Sequence, residues 1–96
     1  MAAYAIGYVQ MRDPSWLAEY GPKTQALVEK HGGKYIVRGG PMERLEGEGD
    51  LPSVIVVLEF PSMEQAKAWY NDPDYAPMIE LRQGGSDLDL ILVDGV

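Results

Sequence analysis

The sequence predicts an α+β fold built on a four-stranded antiparallel sheet, and three observations carry that prediction. Four short segments, 4–11, 34–38, 54–60 and 88–93, are rich in β-branched and aromatic residues or alternate between two faces, as strands do. Helical spacing of apolar residues fills only the interval between the first and second segments and that between the third and fourth. Between the second and third lies 39–52, rich in Gly, Pro and Glu, which reads as a long hairpin connection. The order is β-α-β-β-α-α-β, the ferredoxin-like split β-α-β plan, with its last helical stretch in two pieces. A chain of 96 residues and 10.6 kDa has room for one domain.

Each element has its own signals. Tyr4 to Met11 places Tyr4, Ile6, Tyr8 and Gln10 on one face and Ala5, Gly7, Val9 and Met11 on the other. Asp13-Pro14 starts a helix, with Asp capping free amides and Pro at the first helical position. Leu17, Tyr20, Thr24, Leu27, Val28 and His31 continue it, and Gly32 stops it. Gly21-Pro22 lies inside, so a kink or break is expected near Tyr20. Lys34 to Arg38 is the second strand and Val54 to Phe60 the third, the strongest strand signal in the chain. Ser62 to Gln65 fits a capping box opening a helix through Ala66, Trp69 and Tyr70. Asp72-Pro73 caps a second piece carrying Tyr75, Met78, Ile79 and Arg82, with Gly84-Gly85 as its stop. Leu88 to Val93 closes the sheet.

Both crossovers of this plan put helices on one face of the sheet, so the other face is left bare. Yet the third strand is apolar on both sides, with Val54, Val56 and Leu58 opposite Ile55 and Val57. The last strand repeats this, with Leu88, Leu90 and Leu92 opposite Ile91 and Val93. A sheet wetted on one side should alternate apolar and polar. The sequence therefore predicts a homodimer, sheet face against sheet face.

Composition excludes several function classes. Fifteen acids against 8 bases give a net charge of −7, with the bases scattered, which argues against nucleic-acid binding. The absence of cysteine excludes disulfides, thiolate catalysis, zinc fingers and iron–sulfur ligation, and a single histidine excludes a His-rich metal site in one chain. No metal site and no cofactor are expected; His31 as a haem ligand is the weakest of the readings. No signal peptide and no apolar run long enough to span a membrane are visible, so a cytoplasmic protein without membrane contact is the expectation. Nucleotide-loop, nucleophile-elbow and metalloprotease motifs are absent.

The candidate site residues are few. His31 is the only histidine and the obvious general base, but its place at a helix end beside two glycines favours a capping role. Arg38 lies in a strand, where a charge needs a partner. Glu59 is the matching acid at the end of an apolar strand. The two form either a structural ion pair or, with Gly39 and Gly40 permitting close approach, an anion clamp for a carboxylate or enolate. Trp69, Tyr70, Tyr75 and Arg82 cluster on the last helical region. They are either core or, with Tyr8 and Tyr35 from the strands, one wall of a ligand pocket between helices and sheet. Asp13 is read as a cap, Glu43, Glu46, Glu48 and Asp50 as a solvated hairpin tip, and Asp87 and Asp89 as solvated strand residues.

Asp13-Pro14, His31-Gly32-Gly33, Val37-Arg38-Gly39-Gly40, Glu59-Phe60-Pro61-Ser62, Ala66, Trp69-Tyr70, Pro73 with Tyr75, and Leu81-Arg82 form a set that spans nearly the whole chain. Through these residues the chain resembles the bacterial DUF1330 family of the dimeric α+β barrel superfamily. The resemblance implies a ferredoxin-like fold and a barrel made by two sheets. It implies no activity. The wider superfamily includes cofactor-independent monooxygenases, muconolactone-isomerase-like enzymes, haem-degrading enzymes and dye-decolourising peroxidases, and a reaction carried over from these is fold analogy. One departure stands out: the family often has a basic residue entering the third strand, where this chain has Pro52-Ser53-Val54.

Three readings of function follow. The first is a homodimer that binds a small aromatic or acidic metabolite in a cleft between sheet and helices. The second is a cofactor-independent monooxygenase or isomerase, with Arg38 stabilising an enolate-like anion and His31 or a tyrosine moving the proton. The third is a structural or stress-associated accessory dimer without catalysis. A cavity lined by Arg38 and tyrosine hydroxyls favours the first two; a filled interior favours the third.

Overall fold

The computed structural model describes residues 1–96. The elements are β1 (Ala3–Met11), a 3₁₀ turn (Pro14–Trp16), α1 (Leu17–Lys30), β2 (Lys34–Arg38), β3 (Val54–Phe60), α2 (Met63–Tyr70), α3 (Ala76–Gln83) and β4 (Ser86–Asp94). The sheet has the order β2-β3-β1-β4 and every neighbouring pair is antiparallel. This is the α+β, ferredoxin-like arrangement that the sequence predicts. No helix is long and apolar enough to cross a membrane.

The register sorts the strand side chains into two faces. Ala5 stands opposite Leu58 and Leu92, Gly7 opposite Val56 and Leu90, and Val9 opposite Val54 and Leu88. These residues face the helices. Their neighbours along the strands face away: Ile6 pairs with Val57 and with Ile91, and Val37 pairs with Val57. Four apolar side chains thus form one row across all four strands of the uncovered face. The core between sheet and helices joins Ala5, Leu58 and Phe60 to Val28, Ala66, Trp69, Tyr75 and Met78.

The helix ends follow the sequence signals. The Asp13 side chain accepts a 3.0 Å hydrogen bond from the Ser15 amide, which holds its carboxyl below the usual carboxylate range. Gly32, at φ +82°, ends α1 with two backbone bonds, Gly32 N to Glu29 O and Gly33 N to Val28 O. Ser62 caps α2 by accepting from the Gln65 amide. The last helix is the exception: Asp72 does not cap α3, which begins at Ala76 with Tyr75 at its N-cap and no side-chain cap. Asp72 accepts from the Asp74 amide instead and organises the turn between α2 and α3, because Pro73–Tyr75 form that turn before the helix starts.

Two details differ from expectation. α1 runs unbroken through Pro22, and the change of helical geometry falls earlier, between the 3₁₀ turn and Leu17. Ala18 and Pro22 are both exposed, so the carbonyl that loses its donor lies on the wetted side of the helix, while Thr24, Leu27 and Val28 hold the opposite side against the core. β4 extends to Ser86–Asp94 because β1 offers a partner for every residue, from Met11↔Ser86 to Ala3↔Asp94. Its Asp87 and Asp89 fall on the uncovered face, where water reaches them.

Candidate functional site

A cleft of about 360 Å³ opens between the sheet and α1, with β1 as its floor. The central strand makes the space. Ala5 and Gly7 face the helices at the middle of the sheet and put almost no side-chain volume there. A Cβ on Gly7 would point toward Leu88 and Leu90, which with Val54 and Val56 form the apolar flanks. Trp16, Tyr20 and Thr24 come from the first helical region at intervals of four, one face of a helix, and form the roof. Trp69, Tyr75 and Arg82 close the inner end. Tyr35, Arg38 and Gly39 stand on the β2 side.

Polar groups in this apolar setting are sparse and specific. The hydroxyls of Tyr20 and Tyr75 lie 2.6 Å apart in a shared hydrogen bond. Burial pushes the Tyr75 phenol well above its ordinary range, with Tyr20 adding to the rise and the Arg82 charge opposing it. Burial likewise raises Tyr35 to about 12, against the pull of Arg38. Both phenols are therefore neutral donors near neutral pH. Four buried side-chain atoms have no hydrogen-bond partner in the chain: Trp16 Nε1, Thr24 Oγ1, Trp69 Nε1 and Arg82 Nε. All four belong to residues of the cleft wall. The cleft lining contains no carboxylate and no imidazole.

The structure brings together Tyr35, Arg38, Trp69, Tyr75 and Arg82 from the sequence-predicted set, and separates the others. Arg38 is exposed; its guanidinium lies 3.8 Å above the Tyr35 ring and donates to Gln25 at 3.0 Å. Glu59 is on the opposite face of the sheet, beside Lys34 at 3.8 Å, so the expected Arg38–Glu59 pair does not form. The cause is the register: Arg38 pairs with Val56, a residue facing the helices, after an irregularity between Tyr35 and Val37. Tyr8 also lies on the uncovered face, because β1 turns only its Ala5, Gly7 and Val9 side toward the helices. Tyr70 is exposed and borders a separate, shallower groove with Ala66 and Leu92.

His31 lies outside the cleft. Its Nε2 is 2.7 Å from the buried carboxylate of Asp72, which also accepts from Lys30 Nζ at 2.9 Å. Its backbone carbonyl accepts from the Gln65 amide side chain. The residue ties the end of α1 to α2 and to the turn before α3. Sequence reasoning did not place Trp16, Tyr20, Thr24 and Gly7 in the cleft. The first three carry a helical spacing signal, and a lone glycine within a strand pattern marks close approach or missing volume.

Comparison with known proteins adds the family and the fold. A protein of unknown function from Rhodopseudomonas palustris, RPA0582, superposes with a TM-score of 0.81 at 22% identity, over 99% of this chain and 82% of that one. SnoaB, a cofactor-independent oxygenase from Streptomyces nogalater, gives 0.66 at 11% identity, over 99% and 93%. A dimeric protein of unknown function and ferredoxin-like fold from Bacteroides fragilis gives 0.59 at 11%, over 98% and 96%. At these identities the likeness is one of fold. No curated protein matches the chain in sequence. Residues 2–96 match a domain of unknown function, DUF1330, and the chain belongs to that family.

Proposed function

We propose that this protein binds a small aromatic or acidic metabolite in the cleft between sheet and helices, and does so as a homodimer. The observation that carries the binding reading is the cleft itself: an apolar space floored by Gly7 and Ala5, with a few polar groups set into its walls. A packed interior would place large side chains there. A few placed polar groups in an apolar concavity is the usual form of a small-molecule site. The dimer reading is supported by the apolar row Val37, Val57, Ile6 and Ile91 on the uncovered face. A structural neighbour of this fold described as dimeric supports it further.

The geometry supports binding ahead of the oxygenase or isomerase reading. His31 lies outside the cleft, bonded to Asp72, and the lining offers no carboxylate or imidazole to accept a proton. A cofactor-independent oxygenase would then have to act on a ligand that is already an anion. The deciding experiment is a titration of the purified protein with aromatic acids, their neutral amides and quinols, followed by tryptophan fluorescence. Trp16 and Trp69 both line the cleft and should report occupancy. Saturable change with at least one class is expected, and oxygen uptake in the same samples separates turnover from binding. Absence of any saturable change across the set would remove the binding reading.

A further inference from the structure

If the cleft holds a small molecule, as proposed above, Arg82 sets the charge of that molecule. Arg82 is only 5% exposed. It forms no ion pair with any acid of the chain, and its guanidinium makes no hydrogen bond within it. A guanidinium does not shed its proton in a folded protein, so burial cannot be relieved by neutralisation. A buried cation requires an anion or a full set of acceptors. The other strongly buried charge, Asp72, has its partners in His31 and Lys30. Nε of Arg82 is wholly enclosed, which leaves the two Nη atoms as those through which the side chain meets the cleft.

The Arg82 charge acts on the Tyr75 phenol, and the other polar side chains of the lining, apart from the exposed Arg38, are hydroxyls and indole N–H groups. The Tyr20–Tyr75 pair shares one hydrogen bond between two hydroxyls, so one of its two phenol protons remains free to donate. Indole N–H groups donate only, and the cleft lining has no carboxylate to compensate the cation. Arg38 does not share this role, because its guanidinium is exposed and already engaged with Gln25 and Tyr35.

We infer that the inner end of the cleft is a carboxylate site, in which Arg82 receives the single anionic group of an otherwise apolar aromatic acid. The free phenol proton of the Tyr20–Tyr75 pair donates to the same group. The ring body lies over Gly7 and between Leu88 and Leu90. One guanidinium matches one negative charge, so a dianionic phosphate would leave charge uncompensated in a low-dielectric site. The arrangement thus selects monoanions over both neutral analogues and phosphate esters.

The test uses naphthoate and its neutral isostere naphthamide, titrated by calorimetry into the full-length protein and into Arg82→Met and Arg82→Lys. Naphthoate should bind about tenfold or more tighter than naphthamide. Arg82→Met should erase that difference, and Arg82→Lys should keep part of it. In the wild type, the Arg82 Nε–H resonance should move with naphthoate and stay still with naphthamide; this reading stands even if the Met variant fails to fold. Equal affinity of acid and amide, or naphthoate binding without movement of that resonance, overturns the carboxylate assignment and leaves the cleft as a neutral-ligand site. Binding of neither probe removes the small-molecule reading, and the assignment falls with it.

Discussion

The carboxylate of Asp72 ties the turn between α2 and α3 to the end of α1 through one oxygen: its Oδ2 lies 2.7 Å from His31 Nε2 and 2.9 Å from Lys30 Nζ. The hydrogen bond with His31 is the largest influence holding its carboxyl far below the usual carboxylate range, followed by the Asp74 amide and Lys30. A depressed folded-state value means that unfolding raises the affinity for protons. The stabilisation is therefore complete above the unfolded carboxylate value, near 3.9, and is lost progressively as pH falls below it. The melting temperature should stay level from neutral pH down to about 5 and drop at lower pH. Asp72→Asn should lower it by several degrees at neutral pH and flatten the acid limb. An acid limb equally steep in that variant would show that other carboxylates control acid unfolding.

Gly85 interlocks the start of the first helical region with the end of α3. Its carbonyl accepts from both Arg12 N and Asp13 N at 2.9 Å, and a Cβ on it would collide with the Trp16 ring and the Asp13 carbonyl. The indole is buried and the carbonyl is backbone, so neither yields easily. Gly85→Ala should destabilise the fold by about 1–3 kcal/mol, the range for overpacking a well-packed site. Gly21→Ala is the control, since nothing lies near its added Cβ, and it should match the wild type or exceed it. Chemical denaturation of the two variants side by side gives the comparison.

The fold was legible because each element carried its own physical signal. β-branched runs marked the strands, Asp13, Ser62 and Gly32 marked helix ends, and the doubly apolar β3 and β4 marked a sheet with apolar residues on both faces. The site was legible in part. Tyr35, Arg38, Trp69, Tyr75 and Arg82 do meet at one cleft. Glu59 and Tyr8 do not, because a strand residue's face depends on register, and composition does not encode register. The irregularity between Tyr35 and Val37 is what brings both Tyr35 and Arg38 to the helix side. Which arginine stands buried without a counter-charge is likewise a property of packing. Arg38 looked exceptional in a strand, yet it is exposed, and Arg82 on an ordinary helical stretch is the enclosed one.

Gly7 is the residue that keeps the cleft open. Its added Cβ would lie 3.1 Å from Leu88 Cδ1, the movable tip of a side chain, so substitution is tolerable for the backbone. Glycine in a strand interior is itself unfavourable. Gly7→Val should therefore fold with a melting temperature close to or above that of the wild type while occupying the floor of the cleft. Fluorescence titration with naphthoate should show binding lost in a protein that remains folded. Retained affinity in Gly7→Val would place the ligand elsewhere, with the groove bordered by Tyr70 as the next place to examine.

Arg38 and Arg82 should respond differently to truncation. Arg38 stacks on Tyr35 at an exposed edge, an arrangement that contributes about 0.5–1 kcal/mol. Arg38→Ala should lower stability by no more than this. For an acidic probe it should act on association, reducing the rate and its dependence on salt while leaving dissociation nearly unchanged, as rim charges do. Stopped-flow fluorescence at two ionic strengths separates the phases. A large rise in dissociation rate would move the main anion contact from the inner end to Arg38.

The uncovered sheet face yields the prediction about assembly. Ile6 and Val57 sit at the centre of the row that runs from Val37 to Ile91, and Val37 and Ile91 remain 39% and 52% exposed in the single chain. Single exposed apolar residues need no explanation, but a row spanning four strands forms a patch that water does not favour. Charged groups stand in the rows that flank it, Lys34 with Glu59 on one side and Asp87 with Asp89 on the other. A second copy is the simplest cover, because two-fold symmetry sets the same apolar row against itself. Light scattering after size exclusion should then give about twice the 10.6 kDa chain mass. Ile91→Glu puts a carboxylate into the row at an exposed position that the single chain can accept, and it should yield a folded monomer. A wild-type monomer with a stable melting transition would overturn the dimer and leave this face for a different partner. A variant that remains dimeric would place the contact on another surface.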